Sequence, residues 1–489
     1  MNLIPDLNRI KEISKTGEYT VVPVSTQILS DFITPIEALR ILKNASDHVY
    51  MLESAKSDET WGRYTFLGFE PKMLITCKDG VLTAGDKTIK TDDPSSEIRK
   101  IMAEYKSPRV EELNFFTGGL VGYFSFEYFG YSEPTIRSSL EDENEFKDVD
   151  LMLFDKVIAF DNLSQKIHLI ANIKLNDIEN EYERAKGELK RIADLLRNGK
   201  KKEEPTSRLL GQIKPLFDRE RFCQMVTDAK NYIREGDIFQ IVLSNRLSAP
   251  FEGSLLDTYR ELRTINPSPY MFYFSGTDVE VAGASPETLV KLKDGILHTF
   301  PLAGTRKRGA TQKEDEELEA ELLKDEKELA EHNLLVDLGR NDLGRISEFG
   351  SVEVEKLRSI ERFSHVMHIG STVRGRIRQD KDALSAIEAV MPAGTLSGAP
   401  KIRACELIGK LEGNKRGIYG GAIGYIDFNG NMDTCIAIRL VYRKGNTVFV
   451  RSGAGIVADS VPELEFEECM NKARASLRAL ESSSQGDEL

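Results

Sequence analysis

No apolar run of membrane-spanning length occurs in the 489 residues, and the opening stretch MNLIPDLNRIKEI mixes charges into its apolar positions. The sequence therefore predicts neither an anchor nor a targeting segment. Positive charge is in deficit: 66 Lys and Arg against 79 Asp and Glu give a net charge of −13, so no basic field would recruit nucleic-acid phosphates. Cysteine is sparse. Cys77, Cys223, Cys405, Cys435 and Cys469 are odd in number, scattered and never in a CxxC pair, which argues against a disulfide framework or a zinc site and fits a reducing cytoplasm. GxSxG, Walker and dinucleotide fingerprints are missing, and no internal repeat is present.

What remains, 40% hydrophobic and 30% charged residues, is the composition of a soluble globular protein. Helical periodicity is expected over Thr34 to Asn44, Ile178 to Leu196, Asp218 to Glu235, Asp315 to Gly339 and Ser460 to Leu480. Strand-like runs cover Leu151 to Phe160, Lys166 to Lys174 and Ile238 to Leu243. Asn198-Gly199 and the charged stretch closed by Pro205 mark a linker at 199–215, between a region 1–198 and a region 216–483. Strands and helices do not alternate regularly, so the class is α+β with large antiparallel sheets and flanking helices.

Chemistry concentrates in the last seventy residues. Ile436 to Tyr442 and Thr447 to Arg451 flank a polar turn and predict a hairpin that runs into Gly453, Ala454 and Gly455, where a side-chain-poor backbone can bring N–H groups to an anion. Ser460 and Glu463 have capping-box spacing, and on the following helix Glu465 and Glu468 share one face. Glu328 and Glu331 repeat that spacing. One such pair is an ordinary solvated helix face; two pairs together could hold a Mg²⁺, which prefers oxygen ligands. Arg439, inside the apolar run CIAIRLVY, needs a carboxylate from the protein or from a ligand. His365 and His368 stand in a β-branched stretch, where odd spacing sends them to opposite faces. Gln240 and Glu287 are polar groups near apolar strands, and Gly304 with Thr305 and Gly394 with Thr395 are glycine turns beside hydroxyls, each open to a purely structural reading. The residues alone lead to a cytosolic α+β enzyme acting on a small carboxylate with Mg²⁺.

The stretches PSPYMFYF, GASPETL, PLAGTRKRG, DEKELAEHNLLVDLGRNDLGRI, HVMH, GTLSGAPKIRA, RGIYGGAIGY, MDTCIAIR, GAG and ELEFEECMNKA resemble, in order, the chorismate-utilising enzyme family, and within it the anthranilate synthase component I subfamily. They cover residues 215 to 480; MLESA and WGRYTFLG match more loosely in the amino-terminal part. The resemblance implies a layered α/β/β/α sandwich, with 1–198 a regulatory region that shares a sheet and 216–483 the chorismate-binding catalytic part. It implies that ammonia adds to C2 of chorismate, the C4 hydroxyl leaves and pyruvate is eliminated, giving anthranilate for tryptophan biosynthesis. Glu331 and Glu468, backed by Glu328 and Glu465, match the metal carboxylates. Gly304, Thr305, Tyr419, Arg439 and Gly453 to Gly455, Ala454 included, match substrate-holding positions; Glu287 matches the general acid, and His368 and Thr395 lie in the same pocket. Gln240 stands where water-adding relatives that form isochorismate or salicylate place a lysine, and Ala303 where aminodeoxychorismate-forming relatives place one. Both disfavour those alternatives. The resemblance also implies a separate glutamine amidotransferase subunit, in a heterotetramer of two large and two small subunits, and inhibition by tryptophan held at Glu53, Ser54, Pro269, Tyr270 and Met271. Outside enzymes, the alternative is a catalytically silent sensor of an aromatic amino acid, against which the complete set of carboxylates stands.

Overall fold

β-Branched and aromatic runs of the two regions do not form separate sheets; they join edge to edge in two large antiparallel ones. The computed structural model describes residues 2–55, 62–136, 140, 142–362 and 366–485. In the first sheet Val21–Leu29, Lys166–Lys174, Lys156–Asp161, Tyr64–Phe69 and Val49–Glu53 continue directly into Tyr270–Ser275, Val279–Ser285, Leu440–Lys444, Thr447–Ile456 and Gln240–Glu252. The second runs from Leu302–Lys307 through Val366–Arg376, Ile296–Thr299, Thr288–Lys293, Met432–Ile436 and Ala422–Asp427 into Gly119–Phe124, Val149–Phe154 and Met73–Lys78. The joins are Val49–Glu53 against Tyr270–Ser275 and Gly119–Phe124 against Ala422–Asp427. Within residues 199–215, the short strands Arg208–Leu209 and Lys214–Pro215 pair with Gln240–Glu252.

The layers follow from burial. Helices Pro35–Ala45, Ile178–Asn198, Leu256–Ile265 and Pro462–Gln485 send Leu39, Leu189, Tyr259 and Ala473 into one core with the first sheet's outer face. A second core, with Phe116, Leu120, Phe154, Phe272 and Val281, lies between the two sheets. Glu326–Gly344 packs on Leu302–Lys307 and Val366–Arg376, and Ala383–Val390 on Thr288–Lys293, covering the other side. The order is α/β/β/α. Strand Val149–Phe154 is buried along its whole length because it is covered on both faces, so apart from Asp150, which Thr277 satisfies, its sequence is apolar without alternation.

Several boundaries depart from the sequence expectations. The run Leu151 to Phe160 is two strands, Val149–Phe154 and Lys156–Asp161, one in each sheet. The helix expected over Asp315 to Gly339 is two, Gln312–Leu322 and Glu326–Gly344, because Asp325 accepts the N–H groups of Lys327 and Glu328 and starts a new helix. Ser460 does not build the capping box: the helix begins at Pro462, and Ser460 Oγ accepts the Val457 N–H at 3.1 Å. The run Ile436 to Tyr442 is broken as well, with Met432–Ile436 in the second sheet and Leu440–Lys444 in the first. Among the described residues, no helix is long and apolar enough to cross a membrane.

Candidate active site

The break between those two strands creates the site. Crossing from one sheet to the other forces Arg439 to φ +55, a left-handed conformation costly for a side chain of this size. Arg439 thus sits in the crossover, and not inside an apolar strand as CIAIRLVY suggests. Its guanidinium enters a cavity of about 1110 Å³. Nη1 donates to the Lys472 carbonyl, and among the described residues Arg439 makes no ion pair with a carboxylate. Burial holds its pKa below the ordinary value, opposed by Tyr419 and Glu468. Of the two partners the sequence left open for it, a protein carboxylate is not supplied by the described residues.

Gly453 and Gly455 line the same cavity. They are not in a turn: strand Thr447–Ile456 continues through them, paired with Gln240–Glu252 as Ser244↔Gly453 and Val242↔Gly455. The neighbouring strand on the other edge pairs only as far as Val450, so beyond it that edge faces the cavity without a strand partner. Ala454 points away, fully buried, and does not line the cavity. A Cβ on Gly453 would lie 2.6 Å from the Leu243 carbonyl and 3.0 Å from the Tyr419 hydroxyl, so only glycine fits there. A Cβ on Gly455 would lie 3.3 Å from Gln240 Nε2. Tyr419 and Gln240 are buried in the cavity wall.

Glu287 follows strand Val279–Ser285. Thr395, from the short turn Gly394–Leu396, donates Oγ1 to its Oε1 at 3.0 Å. Burial pushes the Glu287 carboxyl up to about 7, against the opposing pulls of Thr395 and Lys472. His368 lies on strand Val366–Arg376, as its β-branched surroundings indicate; His365 is outside the described residues. Its Nδ1 is 2.8 Å from the Gly304 carbonyl and 3.1 Å from Thr305 Oγ1. A carbonyl only accepts, so Nδ1 bears the proton and the ring lone pair is on Nε2. Burial keeps the imidazole pKa low, with Arg439 acting in the same direction.

Glu328 and Glu331, on helix Glu326–Gly344, line this cavity together with Glu465 and Glu468, on helix Pro462–Gln485. Gly304, at φ +64, comes so close that a Cβ there would lie 3.1 Å from Glu328 Oε2. Burial raises the Glu331 carboxyl pKa, and the charges of Glu328 and Glu468 add to it. Glu465 is raised by burial and by Glu468. Among the described residues, however, no three His, Cys, Asp or Glu groups are gathered closely enough to hold a metal ion. Glu468 pairs with Lys472, whose Nζ lies 2.6 Å away. The four carboxylates fit a hard divalent cation by donor type, since all offer oxygen and repel one another without it. Lys472 was not singled out from the sequence; its i,i+4 spacing from Glu468 was the available signal.

A second cavity, of about 500 Å³, opens between the sheets and is lined by Glu53, Ser54, Pro269, Tyr270 and Met271 with Phe66, Phe116 and Tyr425 among others. Glu53 Oε1 accepts from Tyr259 Oη and Arg263 Nε, each at 2.6 Å. Tyr270 Oη donates to Asp433 Oδ1 at 2.8 Å and lies 2.9 Å from Thr288 Oγ1.

Two stacked sheets, with acids from two helices facing an arginine and glycine-strand wall in one cavity, define the class. The chain belongs to the chorismate binding enzyme family, whose pattern matches residues 47–478. Over its whole length it is similar to anthranilate synthase component 1 of Acetivibrio thermocellus, 44% identical with 98% of each chain covered. The same protein of Aquifex aeolicus (strain VF5) is 44% identical, with 100% of each chain covered. The crystal structure of anthranilate synthase component I from Streptococcus pneumoniae TIGR4 superposes with a TM-score of 0.78 at 38% identity, covering 92% of this chain and 98% of that one.

Proposed function

We infer that the chain is the large subunit of an anthranilate synthase, converting chorismate and ammonia to anthranilate and pyruvate for tryptophan biosynthesis. One observation carries the reading from geometry: a half-buried guanidinium that pairs with no carboxylate among the described residues shares a cavity with four carboxylates and one carboxyl group whose pKa burial pushes up to about 7. That arrangement suits a dianionic substrate held partly through a cation and a reaction that needs an acid.

Arg439 takes the enolpyruvyl carboxylate through its planar fork. Backbone N–H groups at Gly453 and Gly455, with the hydroxyls of Tyr419 and Thr305, orient the ring. Ammonia brings its own lone pair, so the neutral amide of Gln240 suffices where water addition would require a base. Glu287, protonated and held by Thr395, delivers its proton to the departing C4 hydroxyl. His368, with its lone pair on Nε2, is placed to accept a proton as pyruvate leaves. Glu331 and Glu468, with Glu328 and Glu465 behind them, would hold a Mg²⁺, which supplies positive charge to the ring carboxylate.

A glutamine amidotransferase subunit delivers the ammonia. In support, four of the five thiols are buried and burial pushes that of Cys405 up to about 12, far from a nucleophile able to open glutamine. The inter-sheet cavity takes tryptophan, whose ring suits Phe66, Phe116 and Tyr425 and whose ammonium suits Glu53. The deciding experiment incubates purified protein with chorismate, Mg²⁺ and ammonium. Anthranilate fluorescence should rise with pyruvate in equal amounts; a product that retains its enolpyruvyl group refutes the reading.

A further inference from the structure

Behind the wall formed by Gly453 and Tyr419 lies a set of buried charges to which the reaction assigns no step. Glu412 ends helix Lys401–Glu412, and Arg416 returns to it: Nε to Oε2 at 3.0 Å, Nη2 to Oε1 at 2.6 Å. From strand Thr447–Ile456, Arg451 donates Nη2 to Oε2 at 2.7 Å. Ser244 gives its N–H and Oγ to Oε1 at 2.8 and 3.0 Å. The three charged side chains are 0 to 1% exposed. One carboxylate between two guanidiniums leaves a net positive charge. Glu127, which accepts the N–H groups of Arg416 and Gly417, offsets it only in part near neutrality, because burial pushes its carboxyl up to about 7. A buried charge cluster of this kind is a poor source of stability, since apolar residues of equal volume do as well. Its presence calls for another use.

Its further bonds point to one. Arg416 Nη1 donates to the Leu396 carbonyl at 2.7 Å, next to Thr395, and Nη2 to the Val242 carbonyl at 2.7 Å, two residues beyond Gln240. Arg451 is two residues before Gly453 and donates Nε at 2.8 Å to Oγ of Ser244, the cross-strand partner of Gly453. The Arg416 guanidinium is 5.9 Å from the Tyr419 ring centroid, and Tyr419 Oη is the atom that a Gly453 Cβ would approach to 3.0 Å. Segments from three distant parts of the chain, each carrying a residue of the cavity wall, are thus tied to a single charged knot. We propose that Glu412, Arg416 and Arg451 form a positioning unit that fixes the Tyr419 hydroxyl against the Gly453 backbone and directs a buried positive charge at the anionic substrate without touching it. Burial raises the Tyr419 pKa, and Arg416 and then Arg451 oppose it, which makes the phenol a better donor than burial alone would leave it.

The inference rests on the reading of this cavity as the chorismate site. Its test is the kinetics of chorismate with saturating Mg²⁺ and ammonium for Arg451→Met, Arg451→Lys, Tyr419→Phe and the double variant Tyr419→Phe/Arg451→Met. Arg451→Met is expected to raise KM for chorismate about tenfold with kcat within about threefold, and Arg451→Lys, which keeps the charge and loses the fork, to raise it about threefold. In the Tyr419→Phe background, Arg451→Met should add less than about twofold, because the partner through which it acts is gone. A merely structural role would lower the folded fraction, and with it apparent kcat and the melting temperature, at unchanged KM; that result overturns the proposal. So does a full tenfold effect in the Tyr419→Phe background. If Arg451→Met yields no soluble protein, Arg451→Lys decides by the same KM criterion. A wild-type chain that neither forms anthranilate nor binds chorismate in calorimetry fails the underlying reading and the inference with it; unchanged KM in an active wild-type background removes the inference alone.

Discussion

The two cavities of this fold differ in how their polar groups are satisfied. In the inter-sheet cavity two of them are paired by the protein, Glu53 by Tyr259 and Arg263 and Tyr270 by Asp433 with Thr288 beside it, while burial pushes the Asp427 carboxyl up to about 7. The rest of that wall mixes aromatic rings, Phe66, Phe116 and Tyr425 among them, with charged side chains of both signs such as Arg63, Arg109 and Lys291. In the larger cavity, Arg439 has no carboxylate among the described residues, Glu287 keeps a proton, and Glu331 and Glu465 are raised by burial and by their acidic neighbours. A site whose charges are internally balanced can receive a ligand and release it at little electrostatic cost. One whose charges remain unbalanced is arranged for a particular charge pattern in the substrate, and such perturbed groups mark the place of chemistry.

Four substitutions would break or sharpen that contrast. The largest effect is expected for Glu287→Gln, which should lower kcat by a factor of about 100 to 10,000 with chorismate binding retained. In the wild type, activity should fall as pH rises through about 7, where the acid loses its proton. The sign for stability is the same. Folding raises this carboxyl from 4.5 to about 7, so the native state holds the proton longer and loses stability as pH climbs between those values. Thermal melts at pH 8 should therefore find the Gln variant more stable, by up to about 3 kcal/mol, the difference vanishing below about pH 4.5. Wild-type stability at pH 8 in Glu287→Gln would mean that the carboxyl is not buried in the folded state.

Glu468→Gln should cost about 100-fold in kcat at low Mg²⁺ with an unchanged circular dichroism spectrum. Activity that does not depend on Mg²⁺ in either protein would remove the metal assignment. Arg439→Lys keeps the charge and loses the fork, so KM for chorismate should rise about 10- to 100-fold while kcat changes less. The smallest effect belongs to the balanced cavity. Tyr270→Phe removes the hydroxyl that touches Thr288, the neighbour of Glu287, and Asp433, six residues before Arg439. Uninhibited turnover should stay within about twofold while tryptophan inhibition weakens about fivefold. Equal loss of both would show that this hydroxyl supports the fold and does not join the cavities.

Local segments with an uninterrupted signal were readable in the sequence. Lys166–Lys174 has the bounds its β-branched run suggests, and Asp218 caps Arg219–Arg234 through the Arg221 N–H as a helix start should. Errors occurred where a tertiary junction interrupts a uniform pattern. Nothing in CIAIRLVY announces that the chain leaves one sheet for the other at Arg439, and nothing in the glutamate-rich stretch from Asp315 says that Asp325 will cap a second helix. The candidate site was legible as residue types, through two Glu-x-x-Glu pairs, an arginine among apolar neighbours and glycines bare of side chains. Glu412, Arg416 and Arg451 were not, because their importance lies in having almost no exposure and in bonds that span up to 289 positions.

The sequence by itself determined the α+β class, the family and the chemical character of the site, because these reside in periodicity, composition and short motifs. Only the tertiary structure decided which groups face one another. It placed acids from two helices and an arginine from a sheet crossover around one cavity, and left those acids short of a ligand cluster with Lys472 on Glu468. It also turned Ala454 away from its glycine neighbours. The physical reason is that burial and charge repulsion depend on distances through space, which spacing along the chain does not fix.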